Sequence, residues 1–347
     1  MTVRRIFHVQ LGRDGGTERF FVTLAQAFAE RGIEQGFAIR PGRGWRHEIE
    51  RLGEVHEGTY LRRTPGSLLA LWRMRRAMRR FAPDVAMAWR APAARLIPDL
   101  RDTVKIVRLG DYPRHVRHFR HLDAVVCNNP SIARHTEGLG WTGATPIISN
   151  FARPVTPVPV TRAEMDTPPG AFVIGSAGSL VHRKAYDTLL RAVAGLPDAW
   201  LWLAGDGEDR TALEALAARL GIADRVRFAG WMAEPMNLIA GADVFVMPSR
   251  QEPLGNVLIE AWHCSIPSVA TRSDGPNWFA TDGTDALLVP IDEPTAMAAA
   301  IARLRDDPAL RERLVANAKK TLDMRFSKKA VIDLYLETFD KLPGARA

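Results

Sequence analysis

The chain has 347 residues, of which 46% are hydrophobic and 25% charged, and its formal net charge is +8. This length exceeds that of one typical domain, and the ordinary composition excludes a disordered or fibrous chain, so we expect two globular domains. The positive charge favours an anionic partner of unspecified kind, because nucleic acid, lipid phosphate and acidic glycans all attract cations.

Membrane and redox signals are weak. No apolar run approaches about 20 residues, and the first residues do not resemble a secretory signal, so we expect a cytoplasmic protein without a spanning helix. The two cysteines, Cys127 and Cys264, form neither a disulfide framework nor a zinc motif. Both are expected to be buried, unreactive thiols.

The first half of the chain, residues 1–150, alternates strand-like and helix-like segments, which predicts an open, mostly parallel sheet covered on both faces. The first strand runs into Gly15 and Gly16 at the start of a helix. Paired glycines at such a turn allow a ligand to approach the backbone closely, although a tight turn alone also explains them. The predicted strands are 3–10, 36–39, 84–89, 104–109, 124–128 and 146–149.

A predicted helix over 67–81 carries an apolar stripe and, on the opposite face, Arg73, Arg76 and Arg80 without any acidic residue. This basic face is either solvated or in contact with an anionic membrane or a phosphorylated acceptor, where each arginine contributes about 1 kcal/mol. The neighbouring Trp72 favours a membrane interface.

Residues 108–121 follow the strand 104–109 and are rich in arginine and histidine. His115 and His118 have a spacing compatible with a metal ion, but no carboxylate or cysteine completes a ligand set. The preferred interpretation is therefore a basic helix that contacts the acceptor. Asp111 is a candidate for contact with an acceptor hydroxyl or the transferred sugar, and its alternative role is that of a turn residue.

The middle of the chain is marked by prolines. Residues 151–170 hold its densest proline stretch, which predicts an extended linker between domains. Residues 171–325 repeat the alternation of strands and helices and predict a second α/β domain, in which Asp209 is expected to cap a helix. Residues 326–347 include a last amphipathic helix.

The strongest signal lies in residues 247–271, where two buried strands enclose a polar loop and a helix beginning near Leu254 or Gly255. This is the pattern of a parallel β-α-β unit, which places ligands at the carboxyl end of the first strand. Glu252 precedes the helix, and Glu260 lies about one turn inside it.

The helix start between these two carboxylates suits a phosphate, because its first N–H groups have no partner within the helix. Carboxylates accept hydrogen bonds from vicinal hydroxyls, so Glu252 and Glu260 on either side of a diphosphate predict a sugar nucleotide. The alternative is that Glu260 is merely a solvated helix residue and Glu252 a cap.

The segment Glu252-Pro-Leu-Gly-Asn-Val-Leu-Ile-Glu260 resembles the Glu-x7-Glu hallmark of retaining glycosyltransferases of the GT-B fold, family 4, also called glycosyltransferase group 1. Its Glu-Pro-Leu-Gly-Asn form looks like that of bacterial lipopolysaccharide-assembly members. The resemblance implies two facing doubly wound, Rossmann-like α/β domains with a cleft between them, and a last helix that crosses back to the first domain. It also implies retaining transfer of a sugar from a nucleoside diphosphate sugar to a glycan or glycolipid acceptor, without a metal or another cofactor.

The same resemblance assigns roles residue by residue. Lys184 matches the lysine that neutralises the donor diphosphate, whereas Ser179 stands where the family has arginine, with Arg183 as a candidate replacement. Glu252 is expected to orient the donor sugar and Glu260 the ribose. Together with Asp111, the acceptor-side candidate, Lys184 and Glu252 are the catalytic candidates. Ser265 replaces the family's usual glycine. The further donor-binding candidates are Gly15, Gly16, Gly230, Trp231, Met232, Leu254, Gly255 and Asn256.

The alternatives to a transferase are of three kinds: another enzyme on the same fold, a catalytically silent binding protein and a nucleic-acid binder. A sugar-nucleotide epimerase uses the same fold, as does a phosphorylase, which needs a far longer chain and a lysine-bound pyridoxal group. A catalytically silent binding protein is favoured by the Ser179 departure. A nucleic-acid binder explains the basic helices but neither glutamate nor the paired glycines, so no nucleic-acid partner is expected.

Overall fold

The computed structural model describes residues 3–13, 15–62, 64–153 and 155–342. The chain divides into two compact units, the first formed by Met1–Asn150 with Lys328–Ala347 and the second by Phe151–Ser327. Pro154 of the proline-rich segment and residues 343–347 of the last predicted segment lie outside the described residues.

The first unit is built on a parallel sheet with the order β3-β2-β1-β4-β5-β6. Strand β4 is buried along its whole length, as expected for a strand covered on both faces. The strands are β1 Arg5–Gln10, β2 Glu34–Ile39, β3 Gly53–Glu57, β4 Val85–Trp89, β5 Val104–Leu109 and β6 Ala124–Cys127. The helices are α1 Gly16–Glu30, α2 Arg46–Ile49, α3 Pro65–Phe81, α4 Arg90–Ala94 and α5 Pro130–Gly138.

The second unit repeats this architecture, with the order β12-β11-β10-β7-β8-β9 and parallel pairing throughout the described strands. Its strands are β7 Phe172–Ala177, β8 Ala199–Ala204, β9 Val226–Gly230, β10 Val244–Met247, β11 Ser268–Thr271 and β12 Leu287–Val289. Its helices are α6 Tyr186–Ala194, α7 Arg210–Arg219, α8 Met236–Ala240, α9 Asn256–His263, α10 Asp274–Phe279, α11 Pro294–Asp306 and α12 Pro308–Thr321. The predicted doubly wound α/β class is confirmed for both units.

The last helix, α13 (Lys328–Lys341), belongs to the first unit. Its Tyr335 is buried, and the hydroxyl accepts a hydrogen bond of 2.8 Å from Nε of Arg108 on β5. The rings of Tyr335 and Phe339 contact Phe28 of α1. An aromatic contact and a buried charge-assisted hydrogen bond therefore fix this helix to the sheet.

Several local predictions were wrong. The edge strand β3 was missed because its sequence, Gly-Glu-Val-His-Glu, has too few apolar residues to show a strand pattern. Residues 146–149 form only an isolated bridge between Cys127 and Ile147. Residues 111–123 form turns rather than a basic helix. Asp209 stands before α7 but accepts no capping hydrogen bond there.

The proline-rich segment is bound to the second unit. The N–H of Val160 donates to the carbonyl of Asn237 at 2.9 Å, and the guanidinium of Arg162 pairs with Asp243 at 2.6 Å. Apart from a short 3₁₀ turn at Ala163–Met165, the described part of residues 151–170 contains neither helix nor strand. Its extended backbone therefore runs along the surface of the second unit.

Candidate functional site

The candidate site lies where the strand order of the second unit reverses. Strand β7 lies between β8 and β10, so the loops after β7 and β10 leave the sheet on either side of this switch point. Ligands of open α/β sheets bind in the crevice at such a point. Lys184 comes from the loop after β7 and Glu252 from the loop after β10.

Lys184 and Glu252 form an ion pair through Nζ and Oε2, with side chains only 13% and 11% exposed. The same carboxylate oxygen accepts a hydrogen bond of 3.3 Å from the hydroxyl of Ser249. The phenol of Tyr186 lies nearby, and burial raises its pKa, with a smaller contribution from the charge of Glu252. The site therefore contains a partly buried, mutually neutralised lysine and carboxylate.

Close backbone contacts hold the loops around this pair. A Cβ atom on Gly205 would lie 1.9 Å from the carbonyl oxygen of Gly178, and one on Gly275 would lie 1.9 Å from that of Leu254. The N–H of Gly275 donates to the carbonyl of Glu252 at 2.8 Å. Glycine is needed at 205 and 275 because any larger residue would force the loops apart.

Arg250 joins the two loops that carry Lys184 and Glu252. Its guanidinium donates to both carboxylate oxygens of Asp187 at 3.0 and 2.8 Å, and to the carbonyl of His182 at 2.8 Å. Its Nε pairs with Asp292 at 2.8 Å, and its backbone N–H donates to the carbonyl of Arg183 at 2.9 Å. A planar guanidinium in several charge-assisted hydrogen bonds fixes both position and orientation.

The charges in this network perturb one another. The hydrogen bond with Asp187 raises the pKa of Arg250. For Asp187, burial acts to raise the pKa, but the hydrogen bonds and charge of Arg250 outweigh it and hold the pKa below its ordinary value. Both groups are therefore charged over the neutral pH range.

Helix α9 begins beside Glu252. Gly255 precedes it with φ at 90°, a left-handed conformation that favours glycine, and no side chain caps this end. The first intrahelical bonds run from the N–H groups of Leu258 and Ile259 to the carbonyl of Gly255. Asn256 opens the helix, and Glu260, one turn further on, is half-buried. The amino end of α9 thus lies next to the Glu252 carboxylate and suits an anion.

The candidates for base contact follow β9. Gly230 has φ at 73°, and its carbonyl accepts a hydrogen bond of 2.7 Å from the N–H of Gly205. Trp231 is exposed and Met232 half-buried. This segment lies at the same carboxyl edge of the sheet as the loops after β7 and β10.

The expected arginine position is an exposed serine. Ser179 and Arg183 are both exposed, while Lys184 is half-buried in the 3₁₀ turn His182–Lys184. The backbone carbonyl of Arg183 accepts hydrogen bonds from the N–H groups of Arg250 and Gln251 in the loop after β10, so the backbone just before Lys184 is fixed although the Arg183 side chain is exposed.

The candidates from the first half of the chain belong to the other unit. Gly15 immediately precedes α1, and Gly16 opens it without a side-chain cap. Asp111 is exposed, and its carboxylate accepts a hydrogen bond from the N–H of Tyr112 at 2.9 Å, the geometry of its alternative role in a turn. The rings of His115 and His118 contact each other, with their centroids 4.6 Å apart.

Clusters of metal-ligating side chains and the two cysteine thiols are the remaining candidate groups. Within the residues described, no group of three or more His, Cys, Asp or Glu side chains is arranged to hold a metal ion. Cys127 is buried as expected, whereas Cys264 is only half-buried. Burial raises the pKa of both thiols to about 12, which keeps them protonated and unreactive. No helix in the described ranges combines the length and apolar character needed to cross a bilayer.

The role of Arg250 was not predicted from the sequence. This residue lies two positions before Glu252, but its partners Asp187 and Asp292 are 63 and 42 residues away along the chain. Only the polar composition of the Ser249–Glu252 loop hinted at a network. Side-chain pairing across such separations depends on the tertiary fold and leaves no periodic signal.

Comparisons with known proteins agree on one family. Residues 159–321 match the family model for glycosyl transferases group 1. The chain is 44% identical over 337 residues to lipopolysaccharide core biosynthesis glycosyltransferase LpsD of Rhizobium meliloti strain 1021, which covers 97% of this chain and 98% of that protein. It is 45% identical over 339 residues to LpsE of the same strain, covering 98% and 100%. Among solved structures, Anabaena Alr3699/HepE in complex with UDP and glucose has a TM-score of 0.79 at 20% identity, covering 98% and 100%.

Proposed function

This chain belongs to the glycosyltransferase group 1 family, and on that premise we propose that it transfers a sugar from a nucleoside diphosphate sugar to an acceptor hydroxyl during lipopolysaccharide core assembly. The two Rhizobium relatives, which match over nearly their whole length, carry that pathway in their names. The GT-B fold predicted from the sequence is confirmed by the structural likeness. The identity of the sugar and the retention of anomeric configuration are parts of the proposal.

The observation that carries this proposal is the Lys184–Glu252 pair beside the amino end of α9. A donor diphosphate bound there would meet the Lys184 ammonium and the helix dipole, which together stabilise negative charge. Glu252 would then hold a hydroxyl of the transferred sugar, and Glu260 a hydroxyl of the ribose. Gly230, Trp231 and Met232 would contact the base.

The proposed reaction breaks the bond between the anomeric carbon and the diphosphate oxygen and forms a bond to the acceptor oxygen. The acceptor proton passes to the departing phosphate, and no protein group attacks the anomeric carbon. This front-face route needs no covalent nucleophile, and the charge that develops on the leaving group is stabilised by Lys184 and the α9 amides. The amides near Gly16 remain a predicted second contribution.

Calorimetric titration with UDP, GDP and ADP tests the donor site, with UDP tried first because the similar Anabaena structure contains it. Lys184→Met is expected to weaken binding by about 10- to 100-fold, since a charge-assisted contact to phosphate is lost. Glu252→Gln is expected to strengthen the binding of the free nucleoside diphosphate by about threefold, because it releases Lys184 from its partner. The same variant should lose turnover of the sugar nucleotide.

Opposite signs in these two variants are the discriminating result. Arg272→Gln serves as the matched control, because Arg272 pairs with Asp282 at 2.7 Å on the surface of the same unit. Equal losses of nucleotide affinity in both site variants would mean that Glu252 supports phosphate binding through Lys184. The assignment of Glu252 to the sugar would then fail. No affinity for any nucleotide would favour the silent binding protein.

Product analysis separates the enzymatic alternatives. A transferase releases the nucleoside diphosphate and glycosylates the acceptor, while an epimerase converts the sugar nucleotide without acceptor. The anomeric configuration of the product, read from proton coupling constants, tests retention. Asp111→Asn is expected to raise the acceptor KM if Asp111 contacts the acceptor, and to change nothing if it only forms its turn.

The acceptor is proposed to be a glycolipid presented at a membrane surface. Arg73, Arg76 and Arg80 are all exposed on α3, as this requires. A cytoplasmic location at the inner face of the membrane remains a prediction. Attachment of purified protein to anionic vesicles, compared with an Arg73→Gln, Arg76→Gln, Arg80→Gln variant, tests the electrostatic part.

A further inference from the structure

Helix α3 exposes apolar side chains beside its arginines. Leu68 is 60% exposed, Leu69 46% and Trp72 56%. They lie in the first two turns of the helix, immediately before Arg73 and Arg76. Exposed apolar residues that cluster within one basic face are a mark of an interaction surface, whereas isolated ones need no explanation.

The inner face of α3 already holds the helix in place. Met74 and Met78 are buried in the core of the first unit. The hydroxyl of Thr64 accepts a hydrogen bond from the N–H of Ser67 at the amino end, and Ala82 closes the other end in a left-handed conformation. The contacts that hold α3 in the first unit therefore include its inner face and both of its ends.

The exposed residues share one side of the helix. At 100° per residue, positions 68, 69, 72, 73, 76, 79 and 80 fall within about 140° of its circumference and extend over about 18 Å of its length. The guanidinium of Arg76 lies 5.5 Å from the centre of the Trp72 ring. Residues 64–81 contain no acidic side chain to offset the charge of this face.

We propose that this face of α3 inserts into the surface of an anionic lipid bilayer. Leu68, Leu69 and Trp72 enter the boundary between headgroups and acyl chains, while the arginines bind lipid phosphates. A helix that carries Trp and Leu among basic residues suits this position, because apolar burial and electrostatic attraction act on the same side. Binding by insertion goes beyond an electrostatic contact and does not depend on sugar transfer.

The charge pattern favours lipid over a second copy of the chain. Two copies that met through this face would bring arginine against arginine without any acid on α3 to pair with them. A bilayer rich in anionic lipid supplies both the negative charge and an apolar phase. The exposed Arg95 lies near α3, since its backbone carbonyl accepts a hydrogen bond from the guanidinium of Arg75.

Flotation with vesicles of phosphatidylcholine and phosphatidylglycerol measures the binding, with pure phosphatidylcholine vesicles for comparison. The insertion variant carries Leu68→Gln, Leu69→Gln and Trp72→Gln, which keep good helix formers at exposed positions. It should lower the partition coefficient at physiological salt by about tenfold or more. The control variant carries Met324→Gln and Leu334→Gln, exposed apolar residues outside α3, and should bind as the wild type does.

Brominated lipids report insertion directly, because bromine quenches only tryptophans close to the acyl chains. The chain has nine tryptophans, so the signal of Trp72 is the difference in quenching between wild type and Trp72→Phe. We expect that difference to be positive with anionic vesicles. Circular dichroism and melting temperature confirm that each variant is folded.

Three results would overturn the proposal. One is unchanged vesicle binding in the insertion variant, which would leave a purely electrostatic contact. Another is absence of Trp72 quenching when the protein is bound. The third is concentration-dependent dimerisation that the insertion variant abolishes, without vesicle binding by the wild type. Donor turnover in the absence of lipid is measured separately, so failure here is distinguishable from failure of the proposed transferase activity.

Discussion

Replacement of Arg250 by alanine tests whether the site is held together by this one side chain. The guanidinium joins Asp187 and His182 after β7 to Asp292, while its own backbone lies in the loop after β10. Arg250→Ala removes these bonds but leaves Lys184 and Glu252 in the sequence. We expect lower stability and weaker binding of nucleoside diphosphate.

The size of the expected stability loss in Arg250→Ala depends on how exposed Arg250 and its partners are. Arg250 is 17% exposed, but Asp187 and Asp292 are 40% and 49% exposed, so solvent screens their attraction. Each carboxylate contact then contributes about 0.5–1 kcal/mol, and the hydrogen bond to His182 about 1 kcal/mol. The expected loss in the free energy of unfolding is about 2–3 kcal/mol. Arg250→Lys should retain part of it, because lysine lacks the fork that reaches both oxygens of Asp187.

Urea denaturation at neutral pH measures this loss, with Arg272→Ala as the matched control. Arg272 makes one exposed ion pair in the same unit, for which about 0.5 kcal/mol is expected. The difference between wild type and Arg250→Ala should shrink as the pH falls below about 4. The pKa of Asp187 is depressed in the folded state, so its contribution is present above the unfolded pKa and is lost on protonation.

A calorimetric titration with UDP completes the test. The backbone N–H of Arg250 still holds the carbonyl of Arg183 in the alanine variant, so the loop after β7 should loosen rather than unfold. We expect UDP affinity to fall about tenfold because Lys184 is less well positioned. Equal stability losses for Arg250→Ala and Arg272→Ala, with unchanged UDP affinity, would refute the positioning role.

Three further changes have definite expected outcomes. Gly255→Ala introduces a side chain at a residue whose φ is 90° and places its Cβ 3.1 Å from the methyl carbon of Met247. The melting curve should show a loss of about 1–3 kcal/mol in the free energy of unfolding, and UDP binding should weaken. Burial lowers the pKa of His8 to about 3 in the folded state, so on acidification His8 is protonated first in the unfolded state. The free energy of unfolding should therefore fall as the pH drops below about 6.5. In urea titrations, His8→Asn should reduce this dependence of stability on pH between pH 6.5 and 5. Tyr335→Phe removes the hydroxyl that accepts the hydrogen bond from the buried Arg108 Nε, so denaturation should show a loss of about 1–3 kcal/mol in the free energy of unfolding. Lys329→Ala, at an exposed site, is the control and should be nearly neutral.

The sequence predicted the elements that periodicity controls. Strands such as β4 and β10 are short apolar runs closed by polar or proline residues, and a parallel sheet buried on both faces produces that pattern. The edge strand β3 has polar and charged side chains and was missed. Residues 111–123, in which basic residues occur at helical spacing, form turns instead, so charge spacing alone did not indicate a helix.

The spacing of Glu252 and Glu260 could be read from the sequence, but the pairing of Glu252 with Lys184 could not. Glu252 and Glu260 could be placed on either side of a helix start, because both lie within one loop-helix unit. That Lys184 and Glu252 contact each other depends on the strand order, which brings β7 beside β10 although the two residues are 68 positions apart. Ser265 has a left-handed φ of 58°, a conformation that favours the glycine expected there from the resemblance.

The Lys184–Glu252 contact has a consequence for the order of events during binding. A nearly buried ion pair contributes little to stability compared with apolar groups of similar size, because desolvation offsets the attraction. The pair is better explained as a temporary partner for each group. A donor diphosphate would take over Lys184, and Glu252 would then be free to accept a hydrogen bond from the sugar.

The double variant Lys184→Met, Glu252→Gln should therefore unfold at a denaturant concentration equal to or above that of the wild type. The single variant Lys184→Met should lose about 3 kcal/mol in the free energy of unfolding, since it leaves a buried carboxylate unpaired. UDP should bind about 10- to 100-fold more weakly to both variants, since both lack the Lys184 ammonium. A double variant as unstable as the single one would show that the pair serves the fold rather than the ligand.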